Sequence, residues 1–186
     1  MTRTGIASYE AGYNGYKAYA EGAFSQVSDA QLNERPGDVG NSIAMISWHV
    51  AGNFESRFTN FLTEDGEKPW RAREEEFALR SVTRAELTAK WDGVWRVVLD
   101  TLASLTDADL THTVYIRQQP LSVSDALLRS LTHASYHVGQ IVLLGKLLVG
   151  PRWRYLSIPP GQSEAYNKDP KYDRPADFAA HVRETR

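Results

Sequence analysis

The sequence has no cysteine among its 186 residues. That absence excludes disulfide bridges, thiolate-held zinc and cysteine nucleophiles together. Any metal must be held by nitrogen or oxygen, and any thiol chemistry must take its sulfur from a substrate. Long apolar runs are also missing. None approaches the roughly 18 residues of a membrane-spanning helix, and the opening MTRTGIASYE lacks the basic-then-apolar layout of a secretory signal. The expected setting is the cytoplasm, with no membrane partner. Nor is there an excess of positive charge: a formal net charge of -2 and a pI near 6.2 supply no global basic field for a polyanion, which argues against nucleic acid as a partner. Glycine-rich phosphate loops, H-E-x-x-H pairs and G-x-S-x-G elbows are absent as well.

The composition is that of a globular protein able to bury a core, with 42% hydrophobic and 24% charged residues. A chain of this length accommodates one core readily and two only with difficulty, so residues 1–186 are expected to form a single domain. Its core should span about 5–150, with 151–186 as an extended tail laid over it.

Hydrophobic periodicity predicts four long helices. The first, about 5–27, carries Tyr9, Tyr13, Tyr16, Tyr19, Ala20, Ala23 and Phe24, although its glycines weaken the propensity. Pro36 and Gly37 mark a loop over 33–40, and Asn41 or Ser42 can cap a second helix reaching about Leu62. Its apolar row, Ile43, Ile46, Val50, Phe54, Phe58 and Phe61, has the three-and-four spacing of a helix and not the alternation of a strand. After the Asp65-Gly66 turn signal comes a long polar connection, a kind of segment that is often functional in a compact domain. Thr83 and Glu86 form a capping-box pattern ahead of a third row, Leu87, Trp91, Val94, Val98, Leu102 and Leu105. Residues 113–116 read as a short extended piece. The fourth helix begins at the Ser122–Asp125 caps and steps through Leu127, Leu131, Ala134, Val138, Ile141, Gly145 and Leu148 to Gly150-Pro151. Prolines 159, 160, 170 and 175 then favour an extended strap, with a helical turn near 177–182. The predicted class is all-α, an up-down four-helix bundle.

Three of the five histidines fall on the two best-defined helices. His133 and His137 lie one turn apart and about 40° around from each other, so both can reach one ion from the flank of the apolar stripe. His49 holds a comparable inward position beside Ile46, Val50 and Phe54 on the second helix. A lone buried histidine is more often a hydrogen-bonded core residue than a ligand, and H-x-x-x-H recurs by chance. The addition of His49 is what turns the pair into a candidate site. Three imidazoles leave at least one coordination position open, as catalytic metals require, and water or a thiol bound there becomes acidic and nucleophilic. Zinc is the expected ion, with nickel or iron(II) as alternatives. Asn53, Gln140 and Ser130 are candidate acceptors for the outer ring nitrogens. His112 and His181 have no partner at useful spacing and read as surface residues. Glu55 and Arg57 read as solvated, as does the acidic run Glu74 to Glu76. Tyr136, about 100° from its neighbour His137 on the helix, reads as packing.

The motifs SWHVAGN (47–53), LTEDGEKPWR (62–71), TVYIR (113–117), LTHASYHVGQI (131–141) and LSIPPGQSEAYN (156–167) together resemble the DinB-like, or YfiT-like, superfamily, in an uncharacterised branch. The resemblance implies a four-helix bundle with a three-histidine metal site at His49, His133 and His137, assembled as a homodimer. It also implies a small-molecule substrate and, from characterised relatives, a low-molecular-weight thiol as cosubstrate. Trp70, Arg71, Arg117, Gln162 and Ser163 recur in the resembling motifs and are candidate substrate contacts. Arg117 suits a carboxylate or phosphate because its fork donates two parallel hydrogen bonds, and an interhelical or dimer salt bridge is an equal alternative. The expected activity is thiol transfer to a small electrophile. A metal-dependent hydrolase and a non-catalytic, stress-related binding or dimerisation module are the competing readings.

Overall fold

The computed structural model describes residues 2–38 and 40–184; Met1, Val39 and the last two residues of the expected 1–186 unit lie outside them. Four long helices dominate: α1 (Thr4–Phe24), α3 (Ile43–Phe58), α4 (Arg84–Ser104) and α5 (Val123–Val149), with a short α2 (Asp29–Asn33) after α1. Caps begin three of the four where the sequence places them. Ser42 accepts from Met45 N–H, the Thr83–Glu86 box closes reciprocally, and Ser122 accepts from Asp125 N–H. The apolar rows of α3 and α4 are buried from end to end. Along α5, Leu127, Ala134, Val138, Ile141 and Gly145 are buried, while Leu131 and Leu148 are half-buried.

Around the bundle, α1 neighbours α4 and α5, and α3 neighbours α4 and α5. The consecutive pairs α1, α3 and α4, α5 therefore face each other across the diagonal. This order matters for the site, because it sets α3 directly against α5. The centre of the core is aromatic: Tyr13, Phe54, Phe58 and Trp95 meet edge to face at centroid distances of 5.2–6.2 Å.

Three elements depart from the sequence reading. The extended piece has a partner: β1 (Thr113–Ile116) pairs antiparallel with β2 (Gln119–Ser122). Its two-residue turn places Arg117 and Gln118 at φ 54° and 62°, a conformation for which glycine or asparagine is preferred. The Asp65 carboxylate compensates by accepting both of their N–H groups, at 2.8 and 2.6 Å. The second departure is at α3, which stops at Phe58, about one turn early, with Asn60 in the left-handed region. Thirdly, the tail is not simply extended. It forms α6 (Ser163–Lys168) and a full helix, α7 (Pro175–Glu184), which packs along α1. The α1 glycines account for this fit, since a Cβ at Gly22 would press into Leu156 and Val182, and Gly15 faces Phe178. They are the floor of a groove for the tail.

Candidate metal centre

His49 lies two turns into α3, where the helix faces α5 at His133 and His137. His49 Nε2 and His133 Nε2 are 3.1 Å apart, and one nitrogen from each of the three imidazoles lies within 4.8 Å of the others. The three ring centroids form a triangle with sides of 4.6–5.1 Å. Imidazoles held about 2.0–2.1 Å from a tetrahedral ion have their nitrogens about 3.3 Å apart. The His49–His133 pair already has nearly that spacing, and all three nitrogens lie within 4.8 Å of one another. The donor set fits a divalent transition metal.

The outer nitrogens strengthen the fit. His49 Nδ1 lies 2.8 Å from Glu76 Oε2, and His137 Nδ1 lies 3.0 Å from Gln140 Oε1. An acceptor on Nδ1 draws the proton to that side and leaves the Nε2 lone pair for the centre. His133 Nδ1 is buried without a hydrogen-bond partner among the described residues. Burial, then the neighbouring His137 and His49, then Arg71 and Arg57, lower the His133 pKa to about 3. Burial also lowers His137, partly offset by its bond to Gln140. Both rings are neutral near pH 7, the form that binds metal.

Glu76 is the structure's main addition to the site. It comes from the 3-10 turn Arg73–Phe77 in the connection after α3, and its side chain is 6% exposed. Arg71 grips it with two parallel bonds, Nε to Oε1 at 2.8 Å and Nη2 to Oε2 at 2.9 Å. Burial alone would raise the Glu76 pKa, but the bonds from His49 and Arg71 and the Arg71 charge outweigh it and hold the carboxyl below its ordinary range. A buried ion pair of this kind adds little stability over apolar packing; its effect here is to fix the orientation and tautomer of His49. Phe77 stacks on the same imidazole at 4.4 Å. Gly52, one turn beyond His49, makes room for the arrangement, because a Cβ there would overlap the Glu76 carboxylate.

Three expectations are therefore corrected. Glu76 is not part of a solvated run, although Glu74 and Glu75 are exposed. Arg57 is buried at 8% exposure, donating to Gly66 O and to Glu67 Oε2. Tyr136 does not pack in the bundle; it is 65% exposed and lines a hollow beside His133. Glu76 and Arg57 depart from the expectation because local charge patterning cannot register a connection folding back over α3. Gly52 in the SWHVAGN segment is the one sequence signal that could have exposed the close approach.

The remaining candidates are dispersed. Arg117 sits in the hairpin turn with Nε 2.9 Å from Glu67 Oε2, so it meets the site through an ion pair and not at the histidines. Trp70 is 55% exposed and borders a separate hollow with Trp48, Arg71 and Glu76. Gln162 and Ser163 are exposed on the C-terminal segment, where Gln162 lines a hollow with Tyr166 and Tyr172. His112 is exposed beside Asp109, and His181 is half-buried, stacked on Tyr172 at 3.9 Å.

A family model described as "Protein of unknown function (DUF1572)" matches residues 2–162, a span that contains the three histidines, Arg71 and Glu76. Among solved structures, the crystal structure of a conserved protein from Enterococcus faecalis is similar, with a TM-score of 0.58 and 16% identity, covering 81% of this chain and 99% of that one. At that identity the likeness concerns the fold alone. No curated protein matches the chain. None of the described helices is long and apolar enough to cross a membrane.

Proposed function

The chain belongs to the DUF1572 family, and we propose that it is a metal-dependent enzyme in which His49, His133 and His137 hold one divalent ion, zinc by preference and nickel or iron(II) otherwise, and which transfers a low-molecular-weight thiol to a small electrophile. The observation that carries this reading is the convergence of three imidazoles from two helices, two of them with acceptors on their outer nitrogens. The resemblance of its motifs to the DinB-like superfamily supports it, as does the lack of cysteine, which leaves the sulfur to be supplied by a cosubstrate. We take residues 1–186 as one domain and the cytoplasm as its setting, where small thiols are kept reduced.

An ion held by three neutral nitrogens supplies Lewis acidity, lowering the pKa of a thiol or of water that reaches its open position. The protein's own contribution is orientation. Glu76, clamped by Arg71, keeps the His49 proton on Nδ1, Gln140 does the same for His137, and Phe77 covers the His49 ring. Substrate approaches from the hollow beside His133. Leu128, Tyr136, Leu143 and Leu147 leave an exposed apolar stripe along α5 that suits pairing of two copies as a homodimer. A hydrolase built on the same ion is the second reading, favoured by that same donor set.

Protein purified without tag or chelator is expected to carry close to one equivalent of transition metal by elemental analysis. Added zinc should raise its melting temperature, since a ligand at 100 times its Kd adds about 2.7 kcal/mol of stability. The increase should vanish in His49→Ala. Metal far below one equivalent together with no thermal shift would instead indicate a non-catalytic, stress-related binding module. Turnover of electrophiles that requires an added thiol separates the transferase from the hydrolase, which would cleave esters or amides without one.

A further inference from the structure

The hollow beside the histidines has a chemical character of its own. It encloses about 370 Å³ between α3, α5 and the end of β1, within the size range of small-ligand sites. His133 forms part of its wall, so whatever occupies it lies against the candidate metal centre. The charged side chains in the lining are Arg57 from α3 and Arg129 from α5, and no carboxylate lines it. Asn53 stands on the same wall, and neither its amide nor the Arg129 guanidinium has a partner among the described residues.

The surroundings do not cancel this charge. Arg57 is paired with Glu67, yet Glu67 is shared among three guanidiniums, with Arg57 and Arg117 at 2.9 Å and Arg71 at 3.7 Å. Arg71 in turn shares Glu76 with His49. Asp65 is occupied by the backbone N–H groups of Glu67, Arg117 and Gln118. Lys68 and Glu64 neutralise each other at 2.8 Å. Arg57, Arg71 and Arg117 therefore draw on Glu67 and Glu76, and Arg129, which lines the hollow, makes no ion pair among the described residues. The Arg129 guanidinium and the Asn53 amide are donors without an acceptor among the described residues, and they lie beside the buried charge of Arg57, whose own N–H groups go to Ser56 Oγ, Gly66 O and Glu67.

We infer that this hollow is the recognition site for an anionic small molecule, whose carboxylate or phosphate group is bound between Arg57 and Arg129 with Asn53 as a further donor, and whose reactive end lies at His133. This rests on the metal-enzyme reading and names the substrate class for it. Fork-shaped guanidiniums match both oxyanions, so the shared chemistry is a planar or tetrahedral oxyanion.

The test measures binding of acetate and of inorganic phosphate by calorimetry at constant ionic strength, in zinc-loaded and in chelator-stripped protein. At least one of the two anions should bind the wild type in both forms. Arg129→Ala, which removes an exposed side chain and leaves the core intact, should weaken that binding about 10-fold or more, Asn53→Ala should weaken it less, and Arg129→Lys should restore part of it. Preference for acetate or for phosphate identifies the anionic group. Metal content should stay the same in all three variants, which separates this proposal from the metal reading: anion binding that depends on Arg129 in protein unable to hold metal would keep the pocket and remove the enzyme. Binding unchanged in Arg129→Ala, or seen only with zinc loaded and indifferent to Arg129, would place the anion elsewhere and overturn the inference.

Discussion

Two clusters of rings lie within the same bundle, and they differ in what their rings present to one another. Tyr13, Phe54, Phe58 and Trp95 meet one another edge to face, Trp91 lies tilted against Trp95 at 5.5 Å, and the Tyr13 hydroxyl donates to Leu127 O at 2.9 Å. That cluster is held by apolar contact, and its two indole N–H groups, on Trp91 and Trp95, are buried without a hydrogen-bond partner among the described residues. Further along the α3–α5 seam, His49, His133 and His137 also meet at about 5 Å between centroids, but two of their nitrogens point at each other and one outer nitrogen has no protein partner. Apolar rings close a core by touching. Imidazole nitrogens facing inward instead set three donor atoms within 4.8 Å of one another, a group that could hold a metal ion, so the aromatic cluster is scaffold and the histidine cluster a candidate receptacle.

The largest effect should come from breaking the aromatic cluster. Trp95→Ala removes a fully buried side chain, and such truncations cost about 3–5 kcal/mol, measurable by urea denaturation. If the two clusters are separate, the added stability conferred by zinc should be the same in this variant as in the wild type, because distant sites add. A zinc increment lost along with the tryptophan would mean that core and receptacle are one unit.

A smaller effect, confined to the receptacle, is expected from Glu76→Gln and from Gly52→Ala. Both disturb the carboxylate that orients His49, the second by steric overlap with it. Loss of such an outer partner typically lowers metal affinity about 10–100-fold. Competition with a chromophoric chelator would read this directly; the metal-free protein should also lose stability, because Glu76→Gln leaves the buried Arg71 guanidinium without its carboxylate partner and Gly52→Ala displaces that carboxylate. Equal affinity in both variants would reduce the Glu76 contact to packing.

A separate effect is on pH dependence. His133 titrates at about 3 in the folded protein, against about 6.5 for an unperturbed histidine. Between those values the unfolded chain binds the additional proton, so stability of the metal-free protein should rise with pH across that window and fall as pH drops from about 6.5 toward about 3. His133→Gln should flatten that part of the stability profile. An unchanged profile would mean the ring is solvated in the metal-free protein.

Much of this was legible in the letters. The four helices, three of their caps and the inward-facing His133–His137 pair were legible from local pattern and spacings of three and four residues, a property of the helix itself that needs no knowledge of neighbours. Gln140 as the His137 acceptor was legible for the same reason, being three residues on. What tertiary structure alone decided is whatever bridges long separations: the order α1–α4–α3–α5 that sets His49 against His133, the return of Glu76 over Gly52 to reach His49, the burial of Arg57 beneath the hairpin, and the seating of α7 on the α1 glycines. Helical periodicity says which way a side chain points from its own axis. Which partner stands there depends on packing between segments dozens of residues apart, and a glycine or an arginine looks the same in the sequence whether solvent or another segment comes to cover it.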